Sequence, residues 1–143
     1  MDLPLQWWQM PVVIIDVARP PEACWTALTR AELFAAWMPG LRRATVVATE
    51  PDGLPREVAF EFSTSLSYAL VYTYDRARRE VRWDPRLGAR DAVRGSARID
   101  AQGDGARITY HLEQGPGRDA DDLALGDADT IVGAFVRWIE TQR

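Results

Sequence analysis

Four tyrosines are the side chains of this sequence whose type and spacing best suit chemistry in an apolar site. Tyr68, Tyr72 and Tyr74 are separated by even numbers of positions within a single segment, and Tyr110 lies in a later segment. A buried phenol needs a hydrogen-bond partner, and the carbonyl oxygen of a bound molecule can supply one. Such hydroxyls can also polarise that carbonyl and stabilise a developing enolate. Bonds to backbone or water remain the alternative, because most side-chain hydrogen bonds go to those partners.

Asp91 is the carboxylate that the sequence places toward the same site. Alternation traced back from Ile99 through Val93 puts Asp91 on the inner face of its predicted strand. A desolvated carboxylate there holds its proton more tightly and can act as a general acid or base. A bulge or an early loop would turn it outward instead. Asp91 and Tyr110 are therefore the catalytic candidates.

The single cysteine and the single histidine do not form a recognisable reactive pair. Cys24 suits a small core position in a predicted helix, and alternation puts His111 on the solvent face of a strand. A nucleophile needs a base beside it, and one histidine does not complete a metal site. The acidic run from Asp119 to Asp122 precedes a predicted helix, whose dipole already favours carboxylates there. We expect neither a Cys-His dyad nor a bound metal or cofactor.

The composition is that of a globular domain and not of a nucleic-acid-binding one. The chain has 143 residues and a formal net charge of −4, and all 17 basic residues are arginines balanced by 21 acids. These arginines are spread along the chain, so no domain-wide positive field results. The longest apolar runs are far shorter than the roughly 20 residues that cross a bilayer. With one cysteine and no secretory leader pattern, we expect a single cytoplasmic domain over 1–143 without membrane insertion.

The pattern of apolar residues predicts one strand, two short helices, six more strands and a long final helix. The first strand is β-branched and ends at a Pro-Pro pair, which opens a helix through Cys24 and Trp25. A second short helix precedes Pro39-Gly40. Alternating segments then predict strands over 43–49, 56–62, 66–74, 79–84, 90–100 and 106–113. The short turns between them indicate an antiparallel meander.

Turn lengths also predict the register and therefore the faces of the sheet. A three-residue loop over 63–65 pairs Phe60 with Tyr68, and a loop over 76–79 pairs Tyr72 with Trp83. Opposed residues share a face, so one side becomes an aromatic wall and the other a mixture of charges. The predicted wall comprises Val58, Phe60, Phe62, Tyr68, Leu70, Tyr72, Tyr74, Val81 and Trp83, continued by Ile108, Tyr110 and Leu112.

The last segment is the only long amphipathic element available to cover that wall. Apolar residues recur every third or fourth position from Leu125 to Ile139, the spacing of an amphipathic helix. We therefore predict an α+β fold in which a seven-stranded curved antiparallel sheet wraps around a long C-terminal helix, with two short helices between strands 1 and 2. Periodicity alone leaves open whether the space between sheet and helix is a filled core or a pocket.

Several segments resemble the START-like, or SRPBCC, superfamily with its helix-grip fold, and within it the polyketide cyclase/dehydrase and coenzyme Q-binding group. The likeness lies in the order and spacing of segments 15–25, 34–40, 72–83, 94–99 and 105–110, and it extends from about Pro11 to the end. The resemblance implies a cavity between sheet and helix that holds lipids, quinones, polyketides or similar molecules. That group has no universal catalytic motif, so no catalytic residue is carried over.

The leading hypothesis is that the chain binds or carries a hydrophobic small molecule, as a monomer or homodimer. The alternative is a polyketide aromatase/cyclase or dehydratase that uses Tyr68, Tyr72 or Tyr110 with Asp91 in the same cavity. A third hypothesis is a protein-interaction module that uses the surface of the fold. For the first two, the expected ligand-binding residues are Trp37, Val58, Phe60, Phe62, Tyr68, Leu70, Tyr72, Trp83, Ile108, Tyr110, Ala128, Ile131 and Phe135.

Overall fold

A computed structural model describes residues 12–86, 92–115, 123 and 127–142. The elements are β1 (Val12–Val17), α1 (Pro21–Thr29), a 3-10 turn (Ala31–Leu33), α2 (Phe34–Trp37), β2 (Leu41–Thr49), β3 (Pro55–Phe62), β4 (Ser67–Asp75), β5 (Glu80–Pro85), β6 (Val93–Gln102), β7 (Gly105–Gln114) and α3 (Ala128–Ile139). The predicted fold class is confirmed: seven antiparallel strands form a curved sheet, and a C-terminal helix packs against it.

The strands form one sheet in the order β1-β7-β6-β5-β4-β3-β2. Phe60 is opposite Tyr68, and Tyr72 is opposite Trp83, so the register predicted from the turns is confirmed. A slip by one residue would move every aromatic side chain to the other face, because side chains alternate along a strand. The residues predicted on the face opposite the aromatic wall are exposed or half-buried, as alternation along the strands requires: Glu57, Glu61, Ser67, Thr73, Glu80, Arg82 and Asp84.

The two short helices cross from β1 to β2 and cover one end of the sheet. Pro21 occupies the first turn of α1, where its missing N–H costs no hydrogen bond. The indole Nε1 of Trp37 donates to the backbone oxygen of Ala27 over 3.3 Å, which ties α2 to α1. Gly40 then turns the chain into β2 with a φ of +72°, a conformation that favours glycine.

Helix α3 packs against β1, β7 and α2, and both of its ends are anchored. At its start the Asp127 carboxylate accepts from the backbone N–H of Thr130 over 3.2 Å. At its end the backbone N–H of Ala18 donates to Glu140 Oε2 over 3.0 Å, and Arg19 Nη1 donates to the backbone oxygen of Gln142 over 2.6 Å. No helix within the described ranges combines the length and apolarity that crossing a bilayer requires.

Candidate functional site

The main cavity lies between the concave face of the sheet and the helices. It encloses about 690 Å³ of empty space including its open mouth, and about 50 Å³ of that space can take the centres of water molecules. One water needs roughly 10–15 Å³ on that second measure, so several waters fit. A larger molecule would have to displace side chains. The lining residues are Leu28, Phe34, Trp37, Met38, Pro39, Phe60, Phe62, Thr64, Leu66, Tyr68, Leu70, Tyr72, Trp83, Val93, Tyr110, Leu112 and Ile131.

A second, smaller cavity lies beneath α3. Only about 10 Å³ of it can take the centres of water molecules, which is the lower limit for a single water. It shares Leu28, Trp37, Tyr110 and Ile131 with the main cavity, so these four side chains separate the two spaces. A ligand that moved them would join the cavities into one. The remaining lining residues are Ile108, Val132 and Phe135.

Most of the residues expected to bind a ligand lie on these two cavities. Nine of them line the main cavity: Trp37, Phe60, Phe62, Tyr68, Leu70, Tyr72, Trp83, Tyr110 and Ile131. Ile108 and Phe135 line only the smaller one. Val58 and Ala128 line neither cavity; both are buried in the core, 0% and 2% exposed. Contact with a ligand stays a prediction for every residue of this set.

The alternation of apolar and polar residues did not identify four lining residues that come from two turns, which we call the rim of the main cavity. Met38 and Pro39 come from the turn after α2, and Thr64 and Leu66 come from the β3–β4 hairpin. Backbone N–H of Ser63 donates to the oxygen of Gly40 over 2.8 Å and holds the two turns together. Positions in turns have no fixed face, so a period of two carries no information about them. The sequence does place apolar residues beside both turns, and that clustering could have indicated that the turns adjoin the apolar cavity.

The aromatic side chains form a continuous wall along the cavity. Phe34 stacks on Phe60 with ring centroids 6.0 Å apart and planes inclined by 7°. Trp83 lies 5.4 Å from Tyr110, centroid to centroid. Such offset and tilted pairs are the favoured arrangements of ring quadrupoles. A ligand would therefore meet flat ring faces and ring edges on this side of the cavity.

Two tyrosine hydroxyls in this wall have no hydrogen bond within the described part of the chain. Tyr72 and Tyr110 are 5% and 6% exposed. Burial raises the pKa of each phenol above its ordinary value. Neighbouring phenols add to the rise, because a second negative charge nearby would repel the first: Tyr74, Tyr110 and Tyr68 act on Tyr72, and Tyr68 acts on Tyr110. Both groups therefore remain protonated donors at ordinary pH. Tyr68 also lines the cavity but, unlike Tyr72 and Tyr110, already has an interaction partner.

Three other residues whose side chains could take part in chemistry either do not line the cavity or lie outside the described residues. Tyr74 was placed on the predicted wall, but it is half-buried and its hydroxyl donates to the backbone oxygen of Pro55. His111, expected on the solvent face, is half-buried. Asp91 lies outside the described residues, so its orientation toward the cavity stays a prediction.

The described residues offer no evident metal centre. They contain no cluster of three or more His, Cys, Asp or Glu side chains that could hold an ion. Cys24 is completely buried, and burial raises the pKa of its thiol to about 11, with a smaller opposing effect from Arg19. A protonated thiol is a poor nucleophile and a poor metal ligand.

Comparison with known proteins finds relatives over nearly the whole chain. Residues 12–139 match the profile of the family described as "Polyketide cyclase / dehydrase and lipid transport". No curated protein sequence matches the chain. Similar solved structures include a protein from Thermus thermophilus, with a TM-score of 0.73, 13% identity, and coverage of 91% of this chain and 96% of that one.

Two further structures share the fold. A START superfamily protein from Mycobacterium smegmatis has a TM-score of 0.68 and 16% identity, with 92% and 94% of the two chains covered. The di-domain ARO/CYC BexL has a TM-score of 0.69 and 12% identity over 92% of this chain. Only 46% of BexL is covered, so this chain corresponds to about half of it. Identities this low establish the shared fold and nothing finer.

Proposed function

Since the chain belongs to the polyketide cyclase/dehydrase and lipid transport family, we propose that it binds a hydrophobic small molecule in the main cavity. The observation that carries the proposal is the lining of that cavity. Its described side chains present carbon and sulfur, with few polar groups: the hydroxyls of Thr64, Tyr68, Tyr72 and Tyr110 and the indole N–H groups of Trp37 and Trp83. Small-molecule sites are typically apolar hollows with a few polar groups of this kind.

The two turns at the rim support entry from that end. Met38 and Pro39 belong to one turn, and Thr64 and Leu66 belong to or adjoin the other. The cavity has an open mouth, so a ligand does not have to unfold the sheet to enter. The space available is small for a drug-sized ligand, and binding therefore includes an outward shift of flexible side chains such as Met38.

A plug variant tests the proposal. Ile131 lines both cavities, so Ile131→Trp would fill the space between sheet and helix. Fluorescence titration with the neutral dye 1-aminoanthracene measures occupation of an apolar site. We expect the wild type to bind the dye and Ile131→Trp to bind at least about tenfold more weakly, because a tenfold loss needs only about 1.4 kcal/mol of steric conflict.

Ala134→Trp is the matched control, because Ala134 lies on the same helix and lines neither cavity. It introduces the same indole and is expected to leave dye affinity within about twofold. Circular dichroism and thermal melts show whether both variants keep the fold. Absence of dye binding to the wild type, or equal binding by folded Ile131→Trp, would contradict the proposal.

A second candidate function is a polyketide aromatase/cyclase or dehydratase that acts in the same cavity. The hydroxyl of Tyr110, on a side chain that is 6% exposed and has no hydrogen bond in the described part of the chain, favours it, since a preorganised donor can stabilise charge that develops on a reacting carbonyl. A short linear poly-β-ketone thioester is the substrate to try. If the chain is an enzyme, Tyr110→Phe and Asp91→Asn lose turnover while dye binding is retained. Undiminished turnover in both variants would count against these roles, and absence of turnover in the wild type would leave the binder as the function.

A further inference from the structure

Every polar side-chain group in the described lining of the main cavity can donate a hydrogen bond. No charged side chain lines it among the described residues. Its polar side-chain atoms are hydroxyls and two indole N–H groups, of which that of Trp37 already donates to the backbone oxygen of Ala27, and the described lining includes no carboxylate, amide or imidazole. Hydroxyls can accept as well as donate, whereas an indole N–H only donates. The described lining can therefore donate hydrogen bonds to a ligand but holds no side chain that would neutralise a charge on it.

Tyr72 and Tyr110 carry the two hydroxyl donors that await a partner. Both are more than nine-tenths buried, and neither hydroxyl has a hydrogen bond within the described part of the chain. The indole of Trp83 lies between them, with ring centroids 6.3 Å from Tyr72 and 5.4 Å from Tyr110. Buried phenols nearly always find a partner. In this site an acceptor atom of a bound molecule, or water in its absence, fills that place.

Carboxylate ligands do not fit this arrangement. An anion that enters an apolar cavity loses its hydration, and without a nearby cation that cost is not recovered. The arginines that form ion pairs in the described structure pair with surface acids, as Arg107 does with Asp16 and Arg76 with Asp52. None of the described lining residues is an arginine. A ligand held here has to be uncharged at the buried end.

We propose that the cavity selects uncharged ring ligands that carry a carbonyl oxygen, and that the hydroxyls of Tyr72 and Tyr110 donate to that oxygen. This inference rests on the proposed function, because it names the chemical class of the molecule that the cavity binds. Two donors match the two lone pairs of one carbonyl oxygen, and the Trp83 face between them packs on the attached ring. Tyr72 and Tyr110 are thus specificity-determining residues.

A matched series of three tricyclic probes tests the inference. Fluorene, 9-fluorenone and fluorene-9-carboxylate share one ring skeleton and differ in the group at one carbon. Their affinities follow from displacement of 1-aminoanthracene. We expect fluorenone to bind roughly five- to tenfold more tightly than fluorene, as about one net hydrogen bond implies. The carboxylate is expected to bind at least about tenfold more weakly than the ketone at pH 7.

Substitution of single hydroxyls assigns the effect to the two tyrosines. Tyr72→Phe and Tyr110→Phe keep the rings, and each is expected to reduce the preference for fluorenone over fluorene at least about twofold, with the preference abolished in the double variant. Tyr74→Phe is the matched control, because Tyr74 donates to the backbone and lines neither cavity. It is expected to leave the preference unchanged. In the wild type, the C=O stretch of bound fluorenone should lie below its frequency in cyclohexane.

The outcomes separate this inference from the proposed function. If no probe and no dye binds, both fail. If fluorene binds as tightly as fluorenone, if the carboxylate matches the ketone, or if the double variant keeps the preference, the cavity is an apolar site without carbonyl selectivity and only this inference fails. Should the phenylalanine variants unfold, the position of the C=O band in the wild type decides, and a band at the cyclohexane frequency would overturn the proposal.

Discussion

Cys24 is a buried thiol whose ionisation depends on folding. Burial, partly opposed by Arg19, raises its pKa from 9.0 to about 11. Between those two pH values the unfolded chain loses the thiol proton while the folded chain keeps it, so the free energy of unfolding falls as pH rises. Urea denaturation at a series of pH values is expected to show a fall that is smaller in Cys24→Ala, by at most about 2.7 kcal/mol.

The buried tyrosines must be separated from that effect. The pKa of Tyr72 is also raised by burial, so its contribution to stability is lost above the ordinary value of 10.0. That loss occurs in both proteins and cancels in the comparison with Cys24→Ala. Equal slopes for wild type and variant between pH 9 and 10 would show that the folded thiol ionises as it does in the unfolded chain.

Gly95 is the residue that lets the Trp83 ring lie against the sheet. A Cβ at this position would lie 2.2 Å from the backbone oxygen of His111 and 2.9 Å from the Trp83 indole. Backbone and ring would both have to move, so Gly95→Ala is expected to lower the free energy of unfolding by about 1–3 kcal/mol. Urea denaturation measures the loss, and dye affinity should fall because the indole moves into the cavity.

Gly133→Ala is the control for that prediction. A Cβ at Gly133 would meet only Arg137 Nη1, at 3.3 Å, which is the far end of a flexible side chain. Alanine is the better helix former, so this variant is expected to be more stable than wild type by up to about 1 kcal/mol. The absence of any closer contact also shows that Gly133 does not serve close packing on the strands. Equal losses at Gly95 and Gly133 would contradict the geometry of both sites.

At the scale of elements, helix α3 depends on the cap at its first turn. Asp127 accepts from the backbone N–H of Thr130, which satisfies one of the unpaired donors of the helix. Asp127→Ala is expected to cost about 1 kcal/mol, whereas Asp127→Asn keeps an acceptor oxygen and loses less. Thermal and urea denaturation measure both variants. An alanine variant as stable as the asparagine variant would mean that the cap does not contribute.

Strand pairing could be predicted from this sequence because its hairpin loops are short and its aromatic residues keep one parity. The pairs Phe60–Tyr68 and Tyr72–Trp83 follow from loop length once one face is apolar. The rim could not be predicted, since turn residues such as Met38 and Thr64 have no alternating face. Phe34 was not among the expected ligand-binding residues, although Trp37 of the same short helix was, because spacing along a helix does not show which side chains reach the cavity.

At the scale of the whole molecule, the cavity exists because α3 lies toward one end of the sheet. The helix contacts β1, β7 and α2, and the Trp37–Phe135 pair, with centroids 4.9 Å apart, joins it to α2. Among the described elements, α3 has no comparable contact with β3, β4 or β5. Cavity volume is the small difference between the space that the backbone encloses and the volume of the side chains. Hydrophobic periodicity gives neither the enclosed space nor the side-chain volume that fills it. The sequence alone therefore could not distinguish a pocket from a filled core.

Ligand binding and global stability are linked through that cavity. A molecule that binds only the folded chain stabilises it by RT ln(1 + [L]/Kd), which is about 2.7 kcal/mol at a concentration 100 times the dissociation constant. The melting temperature of the wild type should therefore rise with 9-fluorenone concentration and keep rising after the site is nearly saturated. Ile131→Trp occupies the space between sheet and α3, so its melting temperature is expected to stay constant over the same range. Differential scanning fluorimetry with fluorene and fluorenone at equal concentrations makes the comparison. Equal shifts in wild type and folded plug variant would place the binding site on the protein surface instead of under the helix.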